Sequence, residues 1–192
     1  MKDRRTGFGQ TFSTRNMVLI AIFAAILAVL SQLSIPLPTG VPATLQTLAV
    51  ALLGFVLGGW SSAASVILYI FLGAIGLPVF AGFKGGFAAL FGPTGGFIFG
   101  FIPLALLCGF ATQITGKIAA PARFALPALG LLICHAAGVT QYALISGNSW
   151  WISALAVSIP FLIKDVFFVG FAYGLALPIN RQLSRAIPQR RP

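Results

Sequence analysis

The chain has 192 residues, of which 58% are hydrophobic and only 7% charged, and it carries a formal net charge of +10. A soluble domain is usually about a quarter charged, so a mean hydropathy of +1.00 excludes an ordinary water-soluble fold and makes lipid the solvent. The basic residues gather at the two ends and in one link instead of along one continuous face, which argues against a nucleic-acid binder.

A spanning helix needs about 20 mostly apolar residues. That rule predicts an all-α integral membrane protein with six transmembrane helices, near 17–35, 44–59, 60–77, 96–116, 124–146 and 152–178. The length suits one polytopic domain, with a cytoplasmic N-terminal tail at 1–16, the membrane domain at 17–180 and a basic cytoplasmic tail at 181–192.

Residues 1–16 hold Lys2, Arg4, Arg5 and Arg15 ahead of the first apolar run. That run is long and lacks an A-x-A exit, so it is expected to stay as an anchor and not to be cleaved as a signal. Within it, Ala21, Ala25 and Ala28, together with Ala24, repeat at helical spacing. Small residues four apart make a flat stripe where another helix can approach closely, either within the monomer or from a partner subunit.

The link "IPLPTGVPATLQ" (35–46) carries Pro36, Pro38 and Pro42, which make it stiff and extended. Gln46 opens the second helix. Only "GGWSS" separates the second helix from the third, so the two form a tight hairpin, and Tyr69 falls in the outer half of the third. The next link, "LPVFAGFKGGFAALFGPTGG" (77–96), is rich in glycine, which permits tight turns and close backbone approach to a ligand at positions such as Gly86. Phe80, Phe83, Phe87 and Phe91 would be out of place in a merely solvated loop. The segment therefore reads as a folded lid that dips back toward the bundle, with Lys84 placed on it to meet an anion.

Thr94 begins the fourth helix, and Lys117 and Arg123 lie in the loop that follows it. The fifth helix holds the chain's one histidine, His135, expected to be an interhelical donor more than a ligand contact, and closes on Thr140, Gln141 and Tyr142. The last helix contains "SIPFLIKDVFFVGF" (158–171). The chain has only two acidic residues, Asp3 and Asp165. A charge at mid-bilayer costs about 2.5–3.5 kcal/mol or more, so Asp165 needs a reason to be there. Helix neighbours point about 100° apart, so Lys164 and Asp165 are expected to face different partners. Asp165 then looks into the bundle, toward a ligand or a structural polar lock. With Gln46, Tyr69, Thr94, Gln141 and Tyr142 it could ring one outward-facing cavity. The chain ends on Arg181, Arg185, Arg190 and Arg191. Of the 12 basic residues only Lys84 falls in the outer links and only Lys164 within a helix. This bias predicts both termini on the cytoplasmic side.

Several chemistries are missing. "TGK" at 115–117 has Ala111 where a nucleotide-binding loop needs its first glycine. There is no H-E-x-x-H, and Cys108 and Cys134 lie in apolar runs as small buried hydrophobes. One carboxylate and one histidine make a poor catalyst, so no enzyme, metal or cofactor is expected.

The runs "PATLQTLAVALLG", "LPVFAGFKGGFAALFGPTGGFIFGF" and "SIPFLIKDVFF" resemble the BioY family. Its members are the biotin-binding S components of energy-coupling factor (ECF) transporters. The resemblance covers about residues 15–180, and "GLPVFAG…GG…GPTGG" is its most specific run. It implies a six-helix S-component fold with biotin held near the outer surface. It also implies a module that pairs in the cytoplasmic (plasma) membrane with a transmembrane T component and two ABC ATPase subunits. In such proteins an A-x-x-x-A-like stripe on the first helix docks the T component, matching Ala21, Ala25 and Ala28. The family's final-helix pair corresponds to Lys164 and Asp165, and its glycine-rich loop to 82–96. Phe97 departs from the tyrosine that many relatives carry after "GPTGG". The ligand's chemistry agrees with these residues. A buried carboxylate suits the ureido N–H donors, a lysine (Lys84 or Lys164) suits the carboxylate tail, and aromatic rings suit the bicycle. The expected function is high-affinity capture of biotin for an ECF-type ABC importer. The alternatives are a stand-alone secondary transporter for biotin, with Asp165 as a proton-coupling carboxylate, and an S component for a different vitamin.

Overall fold

A computed structural model describes residues 13–186, almost entirely as helix. Lys2, Asp3, Arg4, Arg5, Arg190 and Arg191 lie outside the described residues. The chain begins with α1 (Thr14–Gln32), whose N-terminus is capped by the Ser13 hydroxyl accepting from the Asn16 N–H. A two-stranded antiparallel ribbon follows, β1 (Ser34–Ile35) and β2 (Ala43–Thr44), with Ser34 opposite Thr44 and Ile35 opposite Ala43. Next come α2 (Gln46–Leu57), α3 (Gly59–Ala74) and a single turn, α4 (Phe87–Leu90). The chain then runs through α5 (Gly95–Gln113), α6 (Ala119–Ser146), α7 (Trp150–Val157) and α8 (Ile159–Ala186).

Four of these helices, α1, α5, α6 and α8, are long and apolar enough to cross a membrane, while α2 and α3 are shorter apolar helices. All the expected helical segments are present, but their ends differ. The first stops at Gln32, because Ser34 and Ile35 pair with the chain after the prolines. The segment expected as a 117–123 loop is largely the first turn of α6, so Arg123 sits on that helix and only Lys117 stays in the link. The run 152–178 is not one helix. It breaks at Ser158, two residues ahead of Pro160, which lacks an N–H and clashes with a preceding carbonyl anywhere beyond a first turn. Beyond the break α8 continues to Ala186, so Arg181 and Arg185 lie on it and not in a tail.

The helices are apolar on every side, as lipid-embedded helices are, and of the four long ones α5 is the most enclosed, with 56% of its apolar window buried against 17% for α8. In lipid, helices associate through close packing more than through water exclusion. Gly54 of α2 is one such contact: a Cβ there would lie 2.6 Å from Cys108 Cβ and 2.8 Å from the Ala105 carbonyl oxygen of α5. Leu27, Val50, Leu53, Val66 and Leu104 fill the fully buried centre.

The two ends of the bundle differ. At one end the hairpin turn at Gly58 (φ 77°) lies beside Gln113, close to the α5–α6 link, and Asn180 Nδ2 of α8 donates to the Phe55 carbonyl at 3.0 Å. Lys117, Arg181 and Arg185 belong to this end. At the other end the β1–β2 ribbon and the 77–94 segment close over the helices. That segment is indeed folded back. Phe80 is buried against Tyr69 and bridges to Lys84, and the Gly86 N–H donates to the Gly73 carbonyl at 2.7 Å. Phe83, Phe87 and Phe91 instead point outward.

Candidate functional site

Beneath the ribbon lies a cavity of about 50 Å³. Its roof is Val41, Pro42 and Thr44 of the ribbon and Ala81 of the lid, and its walls come from α2, α5, α6 and α8. Helix α2 contributes Gln46 and Thr47, and the start of α5 contributes Thr94, Phe97, Ile98 and Phe101. Helix α6 adds Leu131, Cys134 and His135, and α8 adds Phe161, Lys164 and Asp165. The lining is mostly apolar and aromatic with a few polar groups converging on one wall, the usual chemistry of a small-molecule site.

Those polar groups form one chain of contacts centred on Asp165, whose side chain is 8% exposed. Lys164 Nζ donates to Asp165 Oδ1 at 2.5 Å, and His135 Nε2 lies 3.3 Å from Oδ2. Because an ionised carboxylate only accepts, the His135 proton facing it is on Nε2, and Nδ1 is hydrogen-bonded with the Ser158 hydroxyl at 2.9 Å. Ser158 is the residue at the α7–α8 break, so the interruption places this hydroxyl beside the histidine. Lys164 also donates to the Thr44 carbonyl at 3.3 Å and sits 4.8 Å from the Phe168 ring centre. Phe97 meets His135 edge-on, with centroids 5.8 Å apart. On the α2 side, Gln46 accepts from the Thr44 hydroxyl at 3.0 Å and donates to the Tyr69 hydroxyl at 2.9 Å.

The expectation that Lys164 and Asp165 face different partners is corrected by this geometry. The 100° offset governs where the Cβ atoms point, and the four-carbon lysine stem curls back across that arc. Each keeps a second partner, Thr44 for Lys164 and His135 for Asp165, but the two also meet one another.

Of the residues singled out from sequence, the structure brings Asp165, Lys164, Gln46 and Thr94 together in the cavity wall. The others sit elsewhere. Tyr69 is fully buried one layer behind, as the support of Gln46. Gln141 turns away to donate to the Leu90 and Gly92 carbonyls, both at 2.8 Å, and so pins the end of the lid to α6. Tyr142 packs against a small cluster with Val139 and Val157. Lys84 is exposed on the lid, and Gly86 (φ 90°) serves the lid's return to Gly73. On α1, Ala21 and Ala25 are exposed, while Ala28 is half-buried against the core.

Sequence reasoning did not single out Thr44, Thr47 or Ser158, nor the aromatic wall of Phe97, Phe101 and Phe161 for the cavity. His135 does act as an interhelical donor, and it also lines the cavity. Its signal was available, since a lone histidine and a lone intramembrane aspartate form an obvious pair. Cys108 and Cys134 are both free and buried.

The sequence model of the BioY family matches residues 2–185. The chain is 35% identical over 190 residues to the biotin transporter BioY of Rhodobacter capsulatus, covering 93% of this chain and 95% of that protein. It is 37% identical over 153 residues to a probable biotin transporter BioY of Pyrococcus horikoshii, covering 79% of this chain and 88% of the relative. Among solved structures, the S component for biotin from an ECF-type ABC transporter superposes with a TM-score of 0.78 at 24% identity. That match covers 92% of this chain and 95% of the other. The fold is therefore that of an S component.

Proposed function

The chain belongs to the BioY family, and from that premise we propose that it is the high-affinity biotin-capture subunit of an ECF-type importer. It is a transport protein and not an enzyme. The observation that carries the reading is the Asp165–Lys164–His135 cluster, set with Gln46 and Thr47 into an otherwise apolar, aromatic cavity. Biotin presents an apolar bicycle, a ureido group with two N–H donors and one acceptor, and an anionic tail. Asp165 takes the ureido N–H donors through charge-assisted bonds. Phe97, Phe101 and Phe161 flank the rings. The tail lies toward a cation, either Lys164 at the wall or Lys84 on the lid above. Thr94 and Gln46 supply further polar contacts, while Tyr69, Gln141, Tyr142 and Gly86 hold the wall and lid that surround the ligand.

In this reading the protein spans the cytoplasmic membrane six times, with the cavity at the outer face and both termini inside. Support comes from charge: Lys117, Arg181 and Arg185 belong to the end opposite the cavity, as expected for a cytoplasmic face. The membrane domain is the helical body from α1 to α8, whose last turns carry Arg181 and Arg185 on the cytoplasmic side. Ala21, Ala25 and Ala28 of α1 dock a transmembrane T component, which joins the subunit to two ABC ATPases. The discriminating experiment is a thermal-shift and calorimetric comparison of purified protein with biotin, thiamine and riboflavin. Stabilisation and saturable binding by biotin alone are expected. A response to another vitamin, or to none, overturns the assignment.

A further inference from the structure

A cavity of about 50 Å³ holds a few waters, whereas small-molecule pockets usually span about 300–1,000 Å³. A bicyclic ligand with a tail can enter only if part of the enclosure moves. The helical walls are tightly packed, which leaves the roof. We propose that Gln32, at the last turn of α1, is the positioning residue that holds the 78–86 lid shut beside the Ser31 hydroxyl, which donates to the Val79 carbonyl, so that opening of the lid for ligand entry and release requires this amide to let go. The identity of the ligand rests on the biotin reading, but the latch itself does not.

Ala81 is the lid residue in the cavity roof, and Gln32 grips the chain on either side of it. Its Oε1 accepts from the Phe83 N–H at 2.8 Å, and its Nε2 lies 3.1 Å from the Val79 carbonyl and 3.3 Å from the Phe80 carbonyl. The same nitrogen lies 2.9 Å from the Ser31 hydroxyl oxygen, 3.5 Å from the Pro78 carbonyl and 3.1 Å from the Ala28 carbonyl of its own helix. An amide nitrogen has two hydrogens, so these acceptors cannot all be served at once, and the donor can pass from one carbonyl to the next as the lid shifts. Two features make this contact breakable. Phe83 is 71% exposed, so water reaches the bond to its N–H. Phe83 is also, among the described residues, the one non-glycine with positive φ (57°), a conformation that costs an L-residue energy and relaxes on release. Phe80, by contrast, is buried and stays as the hinge-side anchor.

The test uses Gln32→Leu, which removes both halves of the amide, and Gln32→Glu, which keeps the acceptor but sets a carboxylate against the 78–80 carbonyls. A spin label on F83C, in a background with Cys108 and Cys134 replaced by alanine, reports lid mobility without ligand. The biotin dissociation rate is read by chase with excess unlabelled vitamin. Losing two hydrogen bonds, each worth a few-fold, should speed dissociation about tenfold in Gln32→Leu; Gln32→Glu, which loses only the donor half, should speed it a few-fold, and the mobile fraction of the label should rise in both variants. The control is Gly54→Val, which loosens the bundle far from the lid. If Gln32→Leu releases biotin no faster than an equally destabilised Gly54→Val, or if the label stays as immobile as in the parent, the latch is refuted. A parent protein that fails to bind biotin would sink the functional reading, while the label measurement would still decide the latch.

Discussion

Replacing Asp165 with asparagine keeps the side-chain shape and swaps one acceptor oxygen for an NH₂ group. In the parent, Oδ1 faces Lys164 at 2.5 Å and Oδ2 faces His135 at 3.3 Å. The amide can present its oxygen to only one of these donors, and its NH₂ then opposes the other. Breaking a fully buried ion pair costs about 3–5 kcal/mol, but the Lys164 side chain is 28% exposed and retains the Thr44 carbonyl. The loss of stability is therefore discounted to about 1–2 kcal/mol, and the folded monomer should survive. The effect on the ligand is larger. A charge-assisted hydrogen bond in a desolvated site contributes about 1.5–3 kcal/mol, so affinity for biotin should fall about tenfold to 150-fold. Desthiobiotin, which keeps the ureido ring but lacks sulfur, should weaken in parallel. Isothermal titration with both ligands, beside a thermal unfolding curve, reads the two effects separately. If D165N binds both ligands within about twofold of the parent yet unfolds earlier, the carboxylate is a structural lock between α6 and α8, and the ureido contact belongs elsewhere.

Orientation can be read by thiol labelling in the background lacking Cys108 and Cys134: K84C should react with a membrane-impermeant reagent added outside cells and K117C should not, and equal labelling would overturn the topology. Ala25→Trp should leave biotin affinity unchanged while abolishing co-purification with a T component, because the bulky ring blocks helix approach on an exposed face of α1; persistence of the complex would place the docking surface elsewhere. Gly54→Val should lower the melting temperature through about 1–3 kcal/mol of overpacking, since its Cβ would meet the Ala105 carbonyl oxygen at 2.8 Å; an unchanged melting curve would show that α2 and α5 can separate freely.

Long apolar runs made the helices readable in the sequence, and the one break that was missed had a visible cause in Pro160. The ribbon was not readable, because two-residue strands carry no periodicity and their pairing depends on how the proline link folds. The site was half readable. Gln46, Thr94, Lys164 and Asp165 share both depth and direction. Gln141 and Tyr69 share only the depth, and rotation about each helix turns them toward the lid and the core. Depth follows from counting residues, whereas direction depends on packing angles between helices that no single stretch encodes. Gln32 was invisible for the same reason, since its partners lie 46 to 51 residues further along the chain.

The short α3 also affects the surrounding lipid. It turns Trp60, Ile67 and Phe71 outward, and its 16 residues reach about 24 Å at ~1.5 Å per residue, against a hydrocarbon layer about 30 Å thick. The 28-residue α6 overshoots that thickness, so the apolar belt is short on one flank and long on another. A bilayer meeting such an uneven rim must dimple, at a fraction of a kcal/mol per Å of mismatch, which amounts to about a few kcal/mol here. That elastic strain would lessen in a thinner membrane, and also wherever a neighbouring protein took the place of the bent lipid along α3.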